Sequence, residues 1–180
     1  NAAALIFHEL IPGHHFQTTI QQELTGVPMF RKVLPFTAFS EGWALYTERL
    51  AWEMGFQKDP LDNLGRLQAE MFRAVRLVVD TGMHAKRWSR EQTIRYMVET
   101  LGDSETAVTT EVERYCVWPG QASSYKVGHN KWIELRARAQ AALGDRFDIK
   151  AFHDAGMNAG GVPLTVLDKI MTDWIAAQRS

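Results

Sequence analysis

The sequence predicts an all-α protein, and three observations carry that reading. Apolar residues recur along most of the chain at the spacing that lines one face of a helix. No segment alternates apolar and polar residues in the period of two that a half-buried strand requires. Helix-starting and helix-ending residues bracket the periodic stretches.

About eight helical segments result. The first occupies residues 1–11 and resumes after Pro12-Gly13 to about Leu24. A connection punctuated by Pro and Gly runs from Gly26 to Pro35. The second helix spans Thr37 to Met54 and stops at Gly55. Asp59-Pro60 starts the third, with Pro at the first helical position, and it runs to about Met83. Ser89-Arg90-Glu91-Gln92 matches a capping box, and Gly102 ends the helix it opens. Asp103 or Ser104 caps the next, which reaches Val117 before Pro119-Gly120 breaks it. Another follows to Leu143, closed by Gly144. Asp148 caps a short helix to Ala155, stopped by Gly156. After Gly160-Gly161-Val162-Pro163 a last amphipathic helix reaches about Gln178.

Composition fits one helical domain over residues 1–180. At 46% hydrophobic and 23% charged, the chain has enough apolar surface for a core and too little charge for a disordered segment. Lys+Arg 20 against Asp+Glu 21 leaves a net charge of −1, which excludes a protein built to neutralise nucleic-acid phosphates. A lone cysteine, Cys116, cannot form an internal disulfide, and it reads as a small buried hydrophobe. No apolar run is long enough to span a bilayer. The six Trp, with Phe7, Phe36 and Phe39, are expected at helix interfaces. Lys86-Arg87 and Arg136-x-Arg138 are expected on solvated faces. Asn1 stands where a Met would start a complete chain, and residues 1–7 read as an element already under way. The expectation is a fragment or processed product whose targeting sequence is out of view, so localisation stays open.

The chemistry concentrates near the amino end. Three of the six His fall in His8-Glu9-Leu10-Ile11-Pro12-Gly13-His14-His15. His8-Glu9 copies the start of the zinc signature H-E-x-x-H, where two His share a helix face and the Glu acts as base on the bound water. Here the second His position holds Pro12. In a straight helix His14 lies about 240° round from His8, and His15 lies close to the same face but about 10.5 Å further along. Pro12 removes the amide that would bond the carbonyl of His8, and Gly13 permits unusual torsions. If the two bulge out, His14 falls where the second ligand belongs. His8 and His14 are therefore favoured, with His15 the alternate ligand or a supporting residue.

A hydrolytic His2Glu site needs one more carboxylate and an open water position. Glu41, at the start of Glu41-Gly42-Trp43-Ala44-Leu45-Tyr46-Thr47-Glu48, is the candidate, and Gly42 would allow close helix approach. Glu48, seven residues on, could orient a ligand His.

These residues resemble a known family. His8-Glu9-x-x-Pro12-Gly13-His14-His15-x-Gln17 and Glu41-Gly42-Trp43-Ala44-Leu45-Tyr46-x-Glu48 are similar to signatures of a bacterial family of unknown function, number 885 in the domain-of-unknown-function series. That family is grouped with the gluzincin-type metallopeptidases. Asp80-Thr81-Gly82-x-His84, Arg114-Tyr115-x-x-x-Pro119-Gly120-Gln121-Ala122-x-Ser124-Tyr125, Phe147-Asp148-x-x-x-Phe152-His153-Asp154 and Gly161-Val162-Pro163-Leu164 extend the resemblance over essentially the whole chain.

The resemblance implies a zincin-like, multi-helix bundle, of which this chain is the carboxy-terminal part, and a single Zn2+. It suggests His8 and a following His as ligands, Glu41 as third ligand and Glu9 as catalytic base, acting on a peptide substrate. Tyr125, His84, Tyr115 and Arg114 are the candidates to stabilise the oxyanion, Tyr125 first. His84 could instead serve as a helix carboxy-terminal cation, and Arg114 could pair with Glu111. Arg114 and Tyr115, with Glu48, are expected around the site rather than on the metal. Two other readings compete: a non-catalytic helical binding module with a structural or vestigial metal site, and a metallohydrolase acting on other amides or esters.

Overall fold

The computed structural model describes residues 2–34 and 36–179. Asn1 and Pro35, at the edges of the predicted first helix and first connection, lie outside them. Among the described residues there are helices and turns but no strand. Ten α-helices run in order: α1 (Ala2–Glu9), α2 (His14–Glu23), α3 (Met29–Val33), α4 (Thr37–Glu53), α5 (Pro60–Lys86), α6 (Arg90–Leu101), α7 (Glu105–Val117), α8 (Gln121–Leu143), α9 (Ile149–Met157) and α10 (Leu164–Arg179). None is long and apolar enough to cross a membrane.

Local chemistry sets most of these ends. The side chains of Asp59, Ser89, Ser104 and Asp148 each accept from an amide in the first turn of the following helix, satisfying donors that have no partner within it. Gly102 closes α6 at φ +72°, a left-handed conformation that glycine adopts without a Cβ penalty.

Four expectations are corrected. α1 stops at Glu9, because the residues around Pro12 turn away from the helix axis. The Gly26–Pro35 connection contains α3. α5 continues past Met83 to Lys86 and ends on Arg87, which takes the left-handed φ of 57° without being glycine. α9 runs through Gly156, which does not stop it: a Cβ there would come within 2.5 Å of the Trp132 ring, so this glycine permits helix contact.

The fold centres on α4 and α8. Their closest approach is Gly42 against Gly128, where a Cβ on Gly128 would lie 1.8 Å from the carbonyl oxygen of Ala38. Below this crossing, Phe39, Trp43, Tyr46, Trp132, Leu135, Phe152, Leu167 and Met171 form one core between α4, α8, α9 and α10. A second core gathers Val75, Val79, Met97, Val108, Val112, Tyr115 and Ala122 from α5, α6, α7 and the start of α8. α8 thus belongs to both, and α4 is held along its length.

Several polar and aromatic residues sit differently from expectation. Cys116 is exposed, since α7 turns Tyr115 inward at the neighbouring position. Trp118 and Trp52 are 63% and 41% exposed, the latter covered by the Arg66 guanidinium. Arg136 reaches Tyr46 and Glu53, and Arg138 reaches Asp168, so neither is merely solvated.

Burial also fixes two histidines as neutral. His129 is brought down to about 4 by burial and the adjacent Lys126. His153, whose Nε2 lies 2.8 Å from the Tyr46 hydroxyl, is brought down to about 4 by burial and Arg136. The unfolded chain takes up protons on these rings from pH 6.5 downward while the folded chain does not, so acidification from 6.5 toward 4 removes stability. The melting temperature, followed by calorimetry across that window, is expected to fall. It falls less in His153→Gln, which keeps a partner for Tyr46 but cannot take up a proton there.

Candidate metal centre

The site begins with a helix that ends early. Helix termini leave carbonyls without partners, and α4 supplies one donor to this terminus and another to the turn that follows it. Thr47 Oγ1 donates to the carbonyl of Phe7 at 3.0 Å, and Trp43 Nε1 donates to the carbonyl of Pro12 at 2.8 Å. Between them residues 10–13 fold back over the end of α1. Gly13 packs so tightly there that a Cβ would sit 1.8 Å from the carbonyl oxygen of His8. α2 then starts at His14. The interruption does what an unbroken helix cannot: the rings of His8 and His14 stand 4.8 Å apart, edge to face.

α4 supplies both carboxylates. Glu48 is buried, and its Oε1 lies 2.8 Å from His8 Nδ1. A carboxylate only accepts, so Nδ1 carries the proton and donates, leaving His8 Nε2 to face the opposite way. Two turns earlier on α4, Glu41 Oε2 lies 3.6 Å from His8 Nε2 and 3.1 Å from His14 Nε2. Ser40 Oγ is 3.3 Å from His14 Nδ1. His8, His14 and Glu41 each present one ligand atom, all within 4.8 Å of one another.

The electrostatics follow from this crowding. Burial opposes protonation of His8, but Glu41 and Glu48 outweigh it and raise the ring's pKa. Burial opposes ionisation of Glu41, but hydrogen bonds from His14 and His8 outweigh it and bring the carboxyl to about 2. Arg73 Nη2 stands 3.8 Å from Glu48, so that buried charge has a cation beside it.

The other predicted residues are distributed as follows. Glu9 is exposed and makes no hydrogen bond or ion pair among the described residues. His15 is exposed and stands outside the cluster. Tyr125, near the start of α8, stacks on His8 with ring centres 6.1 Å apart, and its hydroxyl accepts from Gln121 at 3.1 Å. Burial and nearby Glu41 push that hydroxyl's pKa upward. His84 lies elsewhere: its Nε2 is 3.0 Å from the Tyr115 carbonyl and 3.5 Å from Asp80. Tyr115 belongs to a neighbouring cluster with Arg76 and Glu111. Arg114 pairs with Glu111 and reaches the site through Gln121, whose Nε2 lies 3.4 Å from Glu41 Oε1. The sequence reading gave Gln121 no role beyond its place in a motif and did not mark Arg73. Gln121 precedes Tyr125 by four residues on one helix, which marks a shared face.

A family model described as "Bacterial protein of unknown function (DUF885)" matches residues 1–171. The chain belongs to this family. Among solved structures, a "putative lipoprotein" from Colwellia psychrerythraea superposes with a TM-score of 0.94 at 50% identity, over 97% of this chain. A "putative lipoprotein of unknown function" from Shewanella oneidensis superposes with a TM-score of 0.86 at 26% identity, over 94% of this chain. The match spans 30% and 31% of the lengths of those two chains. Comparison with curated proteins gives no match.

The Gly13 contact yields a direct test of how the DUF885 chain builds this turn. Gly13→Ala puts a methyl group into the His8 carbonyl, and overpacking of this kind costs about 1–3 kcal/mol. Thermal denaturation of Gly13→Ala is expected to show that loss; an unchanged melting temperature would mean the turn is looser than described.

Proposed function

We propose that the chain carries the catalytic centre of a zinc-dependent peptidase. The observation that supports this best is the convergence of His8 Nε2, His14 Nε2 and Glu41 Oε2, with His8 Nδ1 held by Glu48. Two imidazoles and one carboxylate are the donor set of hydrolytic zinc sites, which leave a fourth position open. A closed structural site would need a fourth protein ligand, and the group holds none among the described residues. The hydrogen bond from His8 to Glu48 is the support that zinc-bound imidazoles usually have, fixing ring orientation and tautomer.

When bound, zinc supplies an acidified water and a Lewis acid for the substrate carbonyl. The chain's own residues do the rest. Glu9 follows the ligand His8 directly, and its unpaired carboxylate accepts the water proton and passes it to the leaving amine. Tyr125 keeps its phenolic proton, because burial raises its pKa, and donates a hydrogen bond to the developing oxyanion. Ser40 steadies the His14 ring from the side away from Glu41. The two solved relatives are named as lipoproteins, and we extend to the parent of this chain an exported, lipid-anchored setting.

Metal analysis of the purified chain is expected to give about one zinc per chain, lost in His8→Ala and in Glu41→Ala. Glu9→Gln is expected to retain zinc while peptide hydrolysis drops by about 10²–10⁴-fold. Undiminished hydrolysis would remove Glu9 as the base.

Zinc affinity is expected to depend on pH with a definite sign. Ligand imidazoles must lose their protons to bind metal, and His8 holds its proton to a higher pH than a free imidazole. Affinity measured by competition with a chelator therefore falls as pH is lowered through 7. Glu48→Gln weakens it by about tenfold at fixed pH.

A further inference from the structure

Beside the metal centre, two guanidinium groups share one carboxylate. Glu111 Oε2 accepts from Arg76 Nη2 at 2.7 Å, from Arg114 Nη2 at 3.0 Å and from the Tyr115 hydroxyl at 2.8 Å. Arg76, Arg114 and Glu111 together carry a net charge of one positive unit. Two nearby carboxylates are engaged elsewhere: Glu113 pairs with Arg90, and Asp80 accepts from the amides of Gly120 and Ser123 and lies 3.5 Å from His84.

The surplus charge is accessible at Arg114. Arg76 is buried, whereas the Arg114 side chain is 30% exposed. A guanidinium has five N–H donors. Arg114 spends one on Glu111 and one, at 2.7 Å, on Gln121 Oε1. Three donors remain. The guanidinium lies over the Tyr115 ring, 5.2 Å from its centre, and the two hydrogen bonds fix the fork in place. Its distance from the metal centre is set by one side chain, Gln121, which touches both Arg114 and Glu41. One or two residues of extended peptide, at about 3.3–3.6 Å each, cover that reach.

We propose that Arg114 docks the free carboxylate at the carboxy terminus of a peptide whose scissile bond lies one or two residues upstream, at His8, His14 and Glu41. The inference rests on the peptidase reading and narrows it to an activity directed at chain ends. A fork of N–H donors held in place matches a carboxylate in geometry as well as charge, which an ammonium does not.

Binding decides this without requiring turnover. The zinc-loaded chain is titrated calorimetrically with N-acetyl-Ala-Ala, with its carboxy-terminal amide, and with an amidated peptide ending in Glu. The free acid is expected to bind at least about tenfold tighter than the amide. That preference disappears in Arg114→Met and shrinks to a few-fold in Arg114→Lys, with folding of both checked by circular dichroism. Equal binding of acid and amide by the unaltered chain overturns the proposal whatever the variants do. A preference that survives Arg114→Met places the carboxylate on the metal, and equal binding of the amidated Glu peptide assigns Arg114 to an acidic side chain; either result overturns it too. Hydrolysis is followed separately. Selective binding without hydrolysis keeps the carboxylate site and removes the peptidase reading, while hydrolysis indifferent to the carboxylate does the reverse.

Discussion

The broken end of α1 is the constraint from which the site follows. A helix stopped by proline exposes carbonyls that burial would penalise unless they find donors. α4 provides donors through Thr47 for the Phe7 carbonyl of the helix and through Trp43 for the Pro12 carbonyl of the turn. The same stretch of α4 carries Glu41 and Glu48, so capping the helix end and presenting carboxylates to His8 are one packing event. α4 is itself fixed against α8 at the Gly42–Gly128 contact. Gln121 and Tyr125, near the start of α8, therefore meet the histidines from the other side.

The polar network is arranged so that few buried charges stand alone. An isolated buried ion is costly, and a partner with good hydrogen bonds offsets most of that cost. Glu48 has His8 and, slightly further off, Arg73. Glu41 has His8 and His14. Arg73 and Arg76 both lie over the Tyr125 ring, at 5.9 and 4.9 Å. Tyr125 is thus clamped between the histidine side and the arginine side, which restricts the directions its hydroxyl can take.

How much of this was readable beforehand depended on the range of the interaction. The helix starts at Asp59, Ser89 and Asp148 were readable because each cap acts within a few residues. The Pro12-Gly13 break was readable for the same reason: a missing amide acts on the carbonyl four residues earlier. Gly156 was misread because glycine ends a helix or admits a neighbour, and only the Trp132 ring shows which. Arg87 carries no local mark of its left-handed turn. Glu41 could be nominated by residue type and by its place near the start of a helix, but its distance to His14 depends on a turn that no local rule positions. Arg73 comes from α5 and Gln121 from α8, so their partners became visible only once those helices were packed.

The exposed position of Cys116 has a practical consequence. It is the single thiol in the chain, and it stands two positions after Arg114 on α7. A fluorophore or spin label directed at sulfur would attach at one known place with every other residue left as it is. Its signal would report on α7 from outside the core.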